Sequence, residues 1–309
     1  MASYDVRKIL KAVADVRKHT PATARICLVG PSDLLADAAR TLSVGADDAV
    51  GGVSRALDVL GRADVPTRPE ALSRWSTIVF LEDAQAPVRP ELGPTVAFCR
   101  AVHLPVIVAA VRDTEAVSVD RHAWIALAGL GGKEFVLHTR GTPAAKAALA
   151  RRIAQVAGPS GFTLAAALPA LRTAVIGHTI EATARQNALV GAVIILPGAD
   201  MPVMTLNQLK MVLRIGAAYG YRADLQRTVE MLGVVLSGFG MRALARQAVD
   251  YVPGLGWAMK ASFGYAGTEA IGRSAVAYFE NGAPLTASRF TRLSSQLGKF
   301  EKLAKGIAR

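Results

Sequence analysis

Cysteine is scarce in this chain of 309 residues, which contains only Cys27 and Cys99. Each lies within an apolar, strand-like stretch, so we expect buried free thiols in a reducing compartment and no disulfide framework. The first residues, Met1 to Asp5, already carry a charge where a signal peptide needs an apolar segment. We therefore expect a cytoplasmic protein, and attachment to the inner face of a membrane stays open.

The sequence also lacks the residue groupings that catalysis or metal binding requires. Its histidines are scattered, and no two share the spacing of ligands on one helix: His19, His103, His122, His138 and His178. Neither cysteine has a nearby partner, and no Gly-x-Ser-x-Gly segment surrounds Ser32. We expect no enzymatic activity, no cofactor and no metal ion.

Acidic residues are too few to balance the basic ones. There are 36 Lys and Arg against 24 Asp and Glu, a net charge of +12, and most of the excess lies beyond residue 158. Such a charge favours an anionic partner. Aromatic residues make up only 6% of the chain, and no nucleic-acid-binding motif is visible, which disfavours DNA and RNA. An anionic membrane or an acidic protein therefore remains as the expected partner.

Long apolar runs are missing as well, although 51% of the residues are hydrophobic. No window reaches the roughly 20 apolar residues that a membrane-spanning helix needs. The nearest approach runs from Ala188 to Leu196 and stops at Pro197. The composition predicts a large core or a surface that contacts lipid from one side.

What is present begins with an alternation of short apolar runs and helical stretches. The predicted strands are Ile26–Val29, Ile78–Leu81, Val106–Val111 and Phe135–Leu137, and the predicted crossover helices are Leu34–Leu42, Leu92–Val102 and Ala144–Val156. This order is typical of a parallel α/β sheet. The segment from Gly158 to Gly161 breaks the pattern, and the remaining chain predicts an all-α domain.

Two basic amphipathic helices are expected at the ends of the chain, over residues 3–18 and 288–309. Either could dock on the protein itself or lie on anionic lipid. The basic residues of the second that could meet a membrane or a partner are Arg289, Arg292, Lys299 and Lys302. The predicted organisation is therefore residues 1–20, an α/β domain over 21–158, a helical domain over 159–285, and a basic tail over 286–309.

A phosphate-binding loop would be expected directly after the first strand. Such a loop needs Gly, four residues, Gly-Lys and Ser or Thr. This chain has Gly30-Pro31-Ser32-Asp33-Leu34-Leu35-Ala36-Asp37. Gly30 keeps the first position, whereas Leu35, Ala36 and Asp37 replace the second glycine, the lysine and the hydroxyl. The charge of a phosphate would be left unneutralised here, and the acidic residues would repel it.

Three later segments partly match further GTPase motifs in the same order. They are Asp64-Val65-Pro66-Thr67 for Asp-x-x-Gly, Ala110-Val111-Arg112-Asp113 for Asn-Lys-x-Asp, and His138-Thr139-Arg140 for Ser-Ala-Lys. Together they make residues 22–157 resemble a degenerate Era-like GTPase domain, a P-loop GTPase-like fold. The resemblance implies that Gly30, Asp64 and Asp113 are vestiges and that nucleotide is not bound. An α/β domain of other ancestry and a divergent protein with weak GTP binding remain alternatives.

The second half resembles the YcjF-type helical domain that often follows Era-like GTPase domains. The resemblance rests on segments within residues 182–282: Ile194–Pro202, Leu206–Met211, Pro253–Trp257, Gly264–Thr268 and Tyr278–Gly282. It implies a protein partner, with an active GTPase among the candidates. Asp200 would lie at a turn, either capping a helix or pairing with a cation. Asn207, Lys210 and Arg214 would form a polar stripe, either solvated or at an interface.

These observations predict a pseudo-GTPase adaptor or scaffold without catalytic activity. Its fold class is α/β followed by all-α. The expected partner is a protein or an anionic membrane surface, and homo-oligomers are allowed.

Overall fold

The structure is a computed structural model, and it describes residues 6–46, 52–193, 201–221 and 256–281. The helices are α1 Val6–His19, α2 Ser32–Ser43, α3 Gly52–Ala56, α4 Pro69–Leu72, α5 Leu92–Ala101, α6 Arg121–Leu127, α7 Pro143–Val156, α8 Ser160–Ala167, α9 Arg172–Val193, α10 Met201–Ala218 and α11 Gly256–Asn281. The strands are β1 Ile26–Val29, β2 Leu57–Leu60, β3 Thr77–Asp83, β4 Val106–Arg112 and β5 Phe135–Thr139. Single 3-10 turns occupy Arg62–Asp64 and Pro169–Leu171.

The chain divides into two compact units. One, here called the sheet unit, comprises Ala14–Ala182 and Arg214–Arg222. The other, the helical unit, comprises Met1–Val13, Thr183–Leu213 and Ala223–Arg309. The predicted α/β sheet followed by a helical region is thus confirmed. The sheet unit continues past the expected boundary at Gly158, since the following helix packs on it: Thr163 Oγ1 donates a hydrogen bond to Pro21 O at 2.6 Å.

All five strands pair in parallel, in the order β2-β1-β3-β4-β5. The central strands are buried along almost their whole length, which is why they appear in the sequence as continuous apolar runs. The predicted strands are all present, but β2 was not predicted because it is a short edge strand with mixed burial. The strand order reverses between β1 and β3, so a crevice is expected at the carboxyl ends of these strands.

Local signals position the helices that cover the sheet. The Asp120 carboxylate caps α6 by accepting hydrogen bonds from His122 N and Ala123 N at 2.9 and 3.0 Å, and Thr142 Oγ1 caps α7 by accepting one from Ala145 N. Such caps satisfy amides that have no partner within the helix. Three predicted crossover helices appear as α2, α5 and α7.

The second half of α1, from residue 11 onward, has exposed basic residues and a buried apolar stripe. Ala12, Val13 and Val16 are buried, whereas Arg17 and Lys18 are exposed. Burial of this stripe agrees with docking on the protein, the first of the two alternatives for this helix.

The helical unit contains a buried polar network. Asn187 Nδ2 donates to Thr268 Oγ1 at 2.9 Å, and Gln208 Nε2 donates to the same hydroxyl at 3.0 Å. Thr268 Oγ1 in turn donates to Gly264 O at 2.7 Å. Three helices therefore share one set of hydrogen bonds, and a shift of register between them would leave buried polar groups unpaired. None of the described helices is long and apolar enough to cross a membrane.

Asp58 links the edge strand β2 to the centre of the sheet. It accepts hydrogen bonds from Arg25 Nε at 2.9 Å and from Trp75 Nε1 at 2.7 Å. The hydrogen bond from Arg25 lowers the pKa of the Asp58 carboxyl below its ordinary value, and Trp75 adds to the effect. The ionised carboxylate therefore stabilises the fold.

Replacing Asp58 by asparagine is expected to lower the free energy of unfolding by about 1 kcal/mol at neutral pH, because charged hydrogen bonds are lost. Since the folded pKa is depressed, this contribution is complete above the unfolded pKa of about 4 and disappears as the pH falls through the folded value. Urea unfolding at a series of pH values should show wild type and Asp58→Asn converging below about pH 4. A difference that stays constant with pH would contradict this role.

Candidate functional site

The partial GTPase motifs all lie at the carboxyl edge of the sheet. Gly30 follows β1, Asp64 ends the 3-10 turn after β2, Asp113 follows β4, and Arg140 follows β5. This placement follows from the topology, because parallel strands end at the same edge. The sequence-predicted positions therefore share one edge of one unit, around the point where the strand order reverses.

Gly30 is held tightly between the neighbouring strands. Its amide donates to Leu60 O of β2 at 3.3 Å. A Cβ atom at this position would lie 2.7 Å from Leu81 O of β3. The glycine is thus required by close backbone packing, and this requirement holds without any phosphate.

One ion-pair group, here called the Arg140 bridge, consists of Asp33, Arg140 and Asp113. Arg140 Nη2 donates a hydrogen bond to Asp33 Oδ2, and Arg140 Nε lies 3.3 Å from Asp113 Oδ1. The hydrogen bond from Arg140 lowers the pKa of the Asp33 carboxyl. The bridge joins the first turn of α2 to the ends of β4 and β5, so a carboxylate and a guanidinium lie beside the start of α2.

A second group, the Glu82 bridge, consists of Arg62, Glu82 and Arg89. Arg62 Nη2 lies 2.6 Å from Glu82 Oε2, and Arg89 binds both oxygens of the same carboxylate. The Glu82 side chain is only 4% exposed. The strand β1 lies between β2 and β3 in the sheet. Because Arg62 follows β2 and Glu82 belongs to β3, their ion pair passes over the carboxyl end of β1, across two strand spacings of about 5 Å each.

The remaining phosphate-loop positions are apolar or acidic. Leu35 is buried in the core. Asp37 Oδ2 lies 3.7 Å from His138 Nε2, and the histidine side chain is 3% exposed. Burial lowers the pKa of His138, an effect that the charge of Asp37 opposes. No lysine or hydroxyl takes the positions that would hold phosphate and magnesium.

Several predicted residues stand apart from these bridges. Asp64 is exposed, and its amide donates to Gly61 O at 3.1 Å. Asn207 Nδ2 donates to Asn187 Oδ1 at 2.9 Å and so joins the polar network of the helical unit. Lys210 and Arg214 are half-buried on the same helix. The other interface candidates lie outside the described residues: Asp200, Arg289, Arg292, Lys299 and Lys302.

Sequence reasoning missed the Glu82 bridge and the polar network. A signal for the first was available, because a glutamate inside the apolar run Ile78–Leu81-Glu82 requires a cationic partner. For Asn187, Gln208 and Thr268 no such signal exists, since polar residues on helices are usually solvated. Asp33 was expected to repel phosphate, and the structure pairs it with Arg140.

Within residues 6–46, 52–193, 201–221 and 256–281, no group of three or more His, Cys, Asp or Glu side chains could hold a metal ion. The carboxyl edge carries two ion-pair clusters around a closely packed glycine: the Arg140 bridge has one arginine for two aspartates, and the Glu82 bridge has two arginines for one glutamate. Comparison of the chain with protein-family models, curated proteins and solved structures finds no match.

Proposed function

We propose that this protein is an adaptor without catalytic activity, in which a degenerate GTPase-like domain and a YcjF-type helical region present binding surfaces. The partner is a protein, with an active GTPase as one candidate class, and the basic tail adds contacts to anionic lipid at the inner face of the membrane. In this proposal no cofactor is bound.

The Arg140 bridge carries the proposal. A nucleotide-binding crevice must offer uncommitted backbone amides and cations to phosphate oxygens. Here the first turn of α2 carries Asp33, and the guanidinium of Arg140 is already bound to that carboxylate. A phosphate group entering the crevice would have to displace a carboxylate and would meet Asp37 and Asp113 nearby.

The Glu82 bridge, which crosses the carboxyl end of β1, supports the same proposal. Its two arginines are bound by one buried carboxylate. Freeing them for a ligand would leave the charge of Glu82 buried and unpaired, which is costly. The cations of both bridges are therefore engaged within the fold.

A thermal-shift titration with GTP and magnesium tests the proposal. A ligand present at a hundredfold its Kd stabilises a protein by about 2.7 kcal/mol, which corresponds to a rise in Tm of roughly 5–10 °C for a domain of this size. We expect no rise at millimolar nucleotide. A saturable rise in wild type that Asp113→Ala abolishes would contradict the proposal and indicate a divergent GTP-binding protein.

Sedimentation with vesicles separates the two kinds of partner. The full chain is compared with a variant in which Arg289, Arg292, Lys299 and Lys302 are replaced by glutamine. Binding to phosphatidylserine vesicles that falls in this variant and with added salt would assign the tail to the membrane. Sedimentation equal for both proteins would leave the tail to a protein partner.

A further inference from the structure

A groove lies at the opposite, amino-terminal edge of the sheet, far along the strands from the two bridges. Its volume is about 730 Å³, and its lining includes Pro105, Val106, Leu130 and Val156. Pro105 and Val106 lie at the start of β4, Leu130 in the loop between α6 and β5, and Val156 at the end of α7. Pro105 and Val156 are half-buried and give the groove a partly exposed apolar lining, whereas Val106 and Leu130 are buried beneath it; we call it the amino-edge groove.

The residues that line this groove carry a net positive charge. Arg100 and Lys133 line it, and the only carboxylate among its lining residues is Glu134. Glu134 is committed, because it binds the guanidinium of Arg100 and accepts a hydrogen bond from Gly131 N. Lys133 is exposed, and among the described residues no ion pair is found for it.

Two further arginines lie close together beside the groove. Arg121 Nη2 lies 3.4 Å from Gly132 O of the loop that forms the groove wall. Arg152 hydrogen-bonds to Gln155 at 2.9 Å, and no ion pair with a carboxylate is found for it in the described part of the chain. Burial, and then the positive charge of Arg121, lower the pKa of Arg152. Two like charges held near each other repel and destabilise the fold, and a bound ligand of opposite charge would relieve this repulsion.

We propose that the amino-edge groove binds an acidic peptide segment with interspersed apolar side chains, supplied by the partner protein. This inference rests on the proposed adaptor function and assigns it a surface. Apolar side chains of the peptide would cover Pro105 and Val156, and its carboxylates would meet Arg121, Lys133 and Arg152. A free phosphate would leave the apolar lining exposed, and a lipid surface would not reach into a groove.

The loop from Gly129 to Glu134 gives one wall of the groove a defined shape. Gly129 has a φ of +60°, a backbone conformation that side chains rarely adopt, and a Cβ at Gly132 would meet nothing within 4 Å. The loop is anchored from inside by the hydrogen bond between Gly131 N and Glu134. Gly131 and Gly132 are exposed and carry no side chain, so an extended peptide can approach closely beside the cations.

The test is a titration of the full, ¹⁵N-labelled protein with a peptide of alternating glutamate and leucine, followed by amide chemical shifts. We expect saturable shifts at Gly129, Gly131, Gly132 and Lys133, and weaker binding as salt increases. The double variant Arg121→Gln/Arg152→Gln should bind about tenfold more weakly, as two charged contacts are removed. The matched control is Lys146→Gln, an exposed cation of α7 outside the groove lining, which should bind as wild type does.

Four outcomes would overturn the inference. They are no binding of the peptide, equal binding of a glutamine–leucine peptide, equal binding by the double variant, and binding to phosphatidylserine vesicles alone. The result is independent of the nucleotide titration, because that experiment examines the opposite edge of the sheet. Failure of the peptide to bind with no response to GTP would remove this surface and leave the adaptor proposal standing.

Discussion

Replacement of Glu82 by glutamine is expected to destabilise the sheet unit by about 3 kcal/mol. The substitution keeps the size of the side chain and removes its charge. Arg62 and Arg89 would then face each other across a neutral amide, with side chains that are only 34% and 29% exposed. Urea unfolding followed by tryptophan fluorescence measures the loss, since Trp75 and Trp124 lie in the sheet unit and Trp257 lies in the helical unit that holds the control position.

The matched control is Glu269→Gln, which removes an exposed ion pair within one turn of α11. Glu269 and Arg273 are 33% and 73% exposed, so the loss should be below about 0.5 kcal/mol. Equal losses at the two positions would show that the Glu82 bridge does not stabilise the fold. A Glu82→Gln variant that gains affinity for GTP would show that the bridge excludes ligand from the crevice, in agreement with the proposed function.

Replacement of Gly264 by alanine is expected to destabilise the helical unit by about 2 kcal/mol. A Cβ atom there would lie 2.7 Å from Asn187 O and 3.1 Å from Asn187 C, both backbone atoms that cannot move aside. The helices must separate, and the 2.9 Å hydrogen bond between Asn187 and Thr268 lengthens. The cost of overpacking exceeds the gain of roughly 1 kcal/mol from replacing glycine in a helix.

Hydrogen exchange of the α11 amides measures this effect within the helical unit alone. The control is Gly177→Ala, in the part of α9 that belongs to the sheet unit, where a Cβ would meet nothing within 4 Å; its effect is measured from exchange of the α9 amides around it. There the helix propensity acts without a clash, so stability should rise by about 0.5–1 kcal/mol. The two alanines therefore have opposite expected signs, and a stabilising Gly264→Ala would refute the close approach of these helices.

The sheet could be predicted because the apolar character of its strands is visible in short stretches of sequence. Runs such as Ile26–Val29 and Val106–Val111 are buried on both faces, and every residue in them is apolar. The strand β2 gave a weaker signal, since Asp58 and Val59 face a partly exposed edge. Thr142, whose side chain caps α7, is a further local signal that the sequence carries.

The candidate site was predictable only as far as its position. Parallel strands end at one edge, so Gly30, Asp64, Asp113 and Arg140 could be placed there from the order of motifs. Which of them interact could not be foreseen, because the pairing of Asp33 with Arg140 joins residues 107 positions apart. The amino-edge groove is equally non-local, since it combines the start of β4 and the loop before β5 with the end of α7.

The sequence by itself determined the parallel α/β sheet, the helical region after it, and the loss of the phosphate-loop lysine and hydroxyl, because these depend on residue type and spacing along the chain. Only the tertiary structure decided that Arg140 and Glu82 pair with their neighbours, that Asn187 is buried among hydrogen-bond partners, and that Arg121 and Arg152 lie beside the groove at the amino edge. The reason is physical: burial and electrostatic pairing depend on distances across the fold, which no local pattern records.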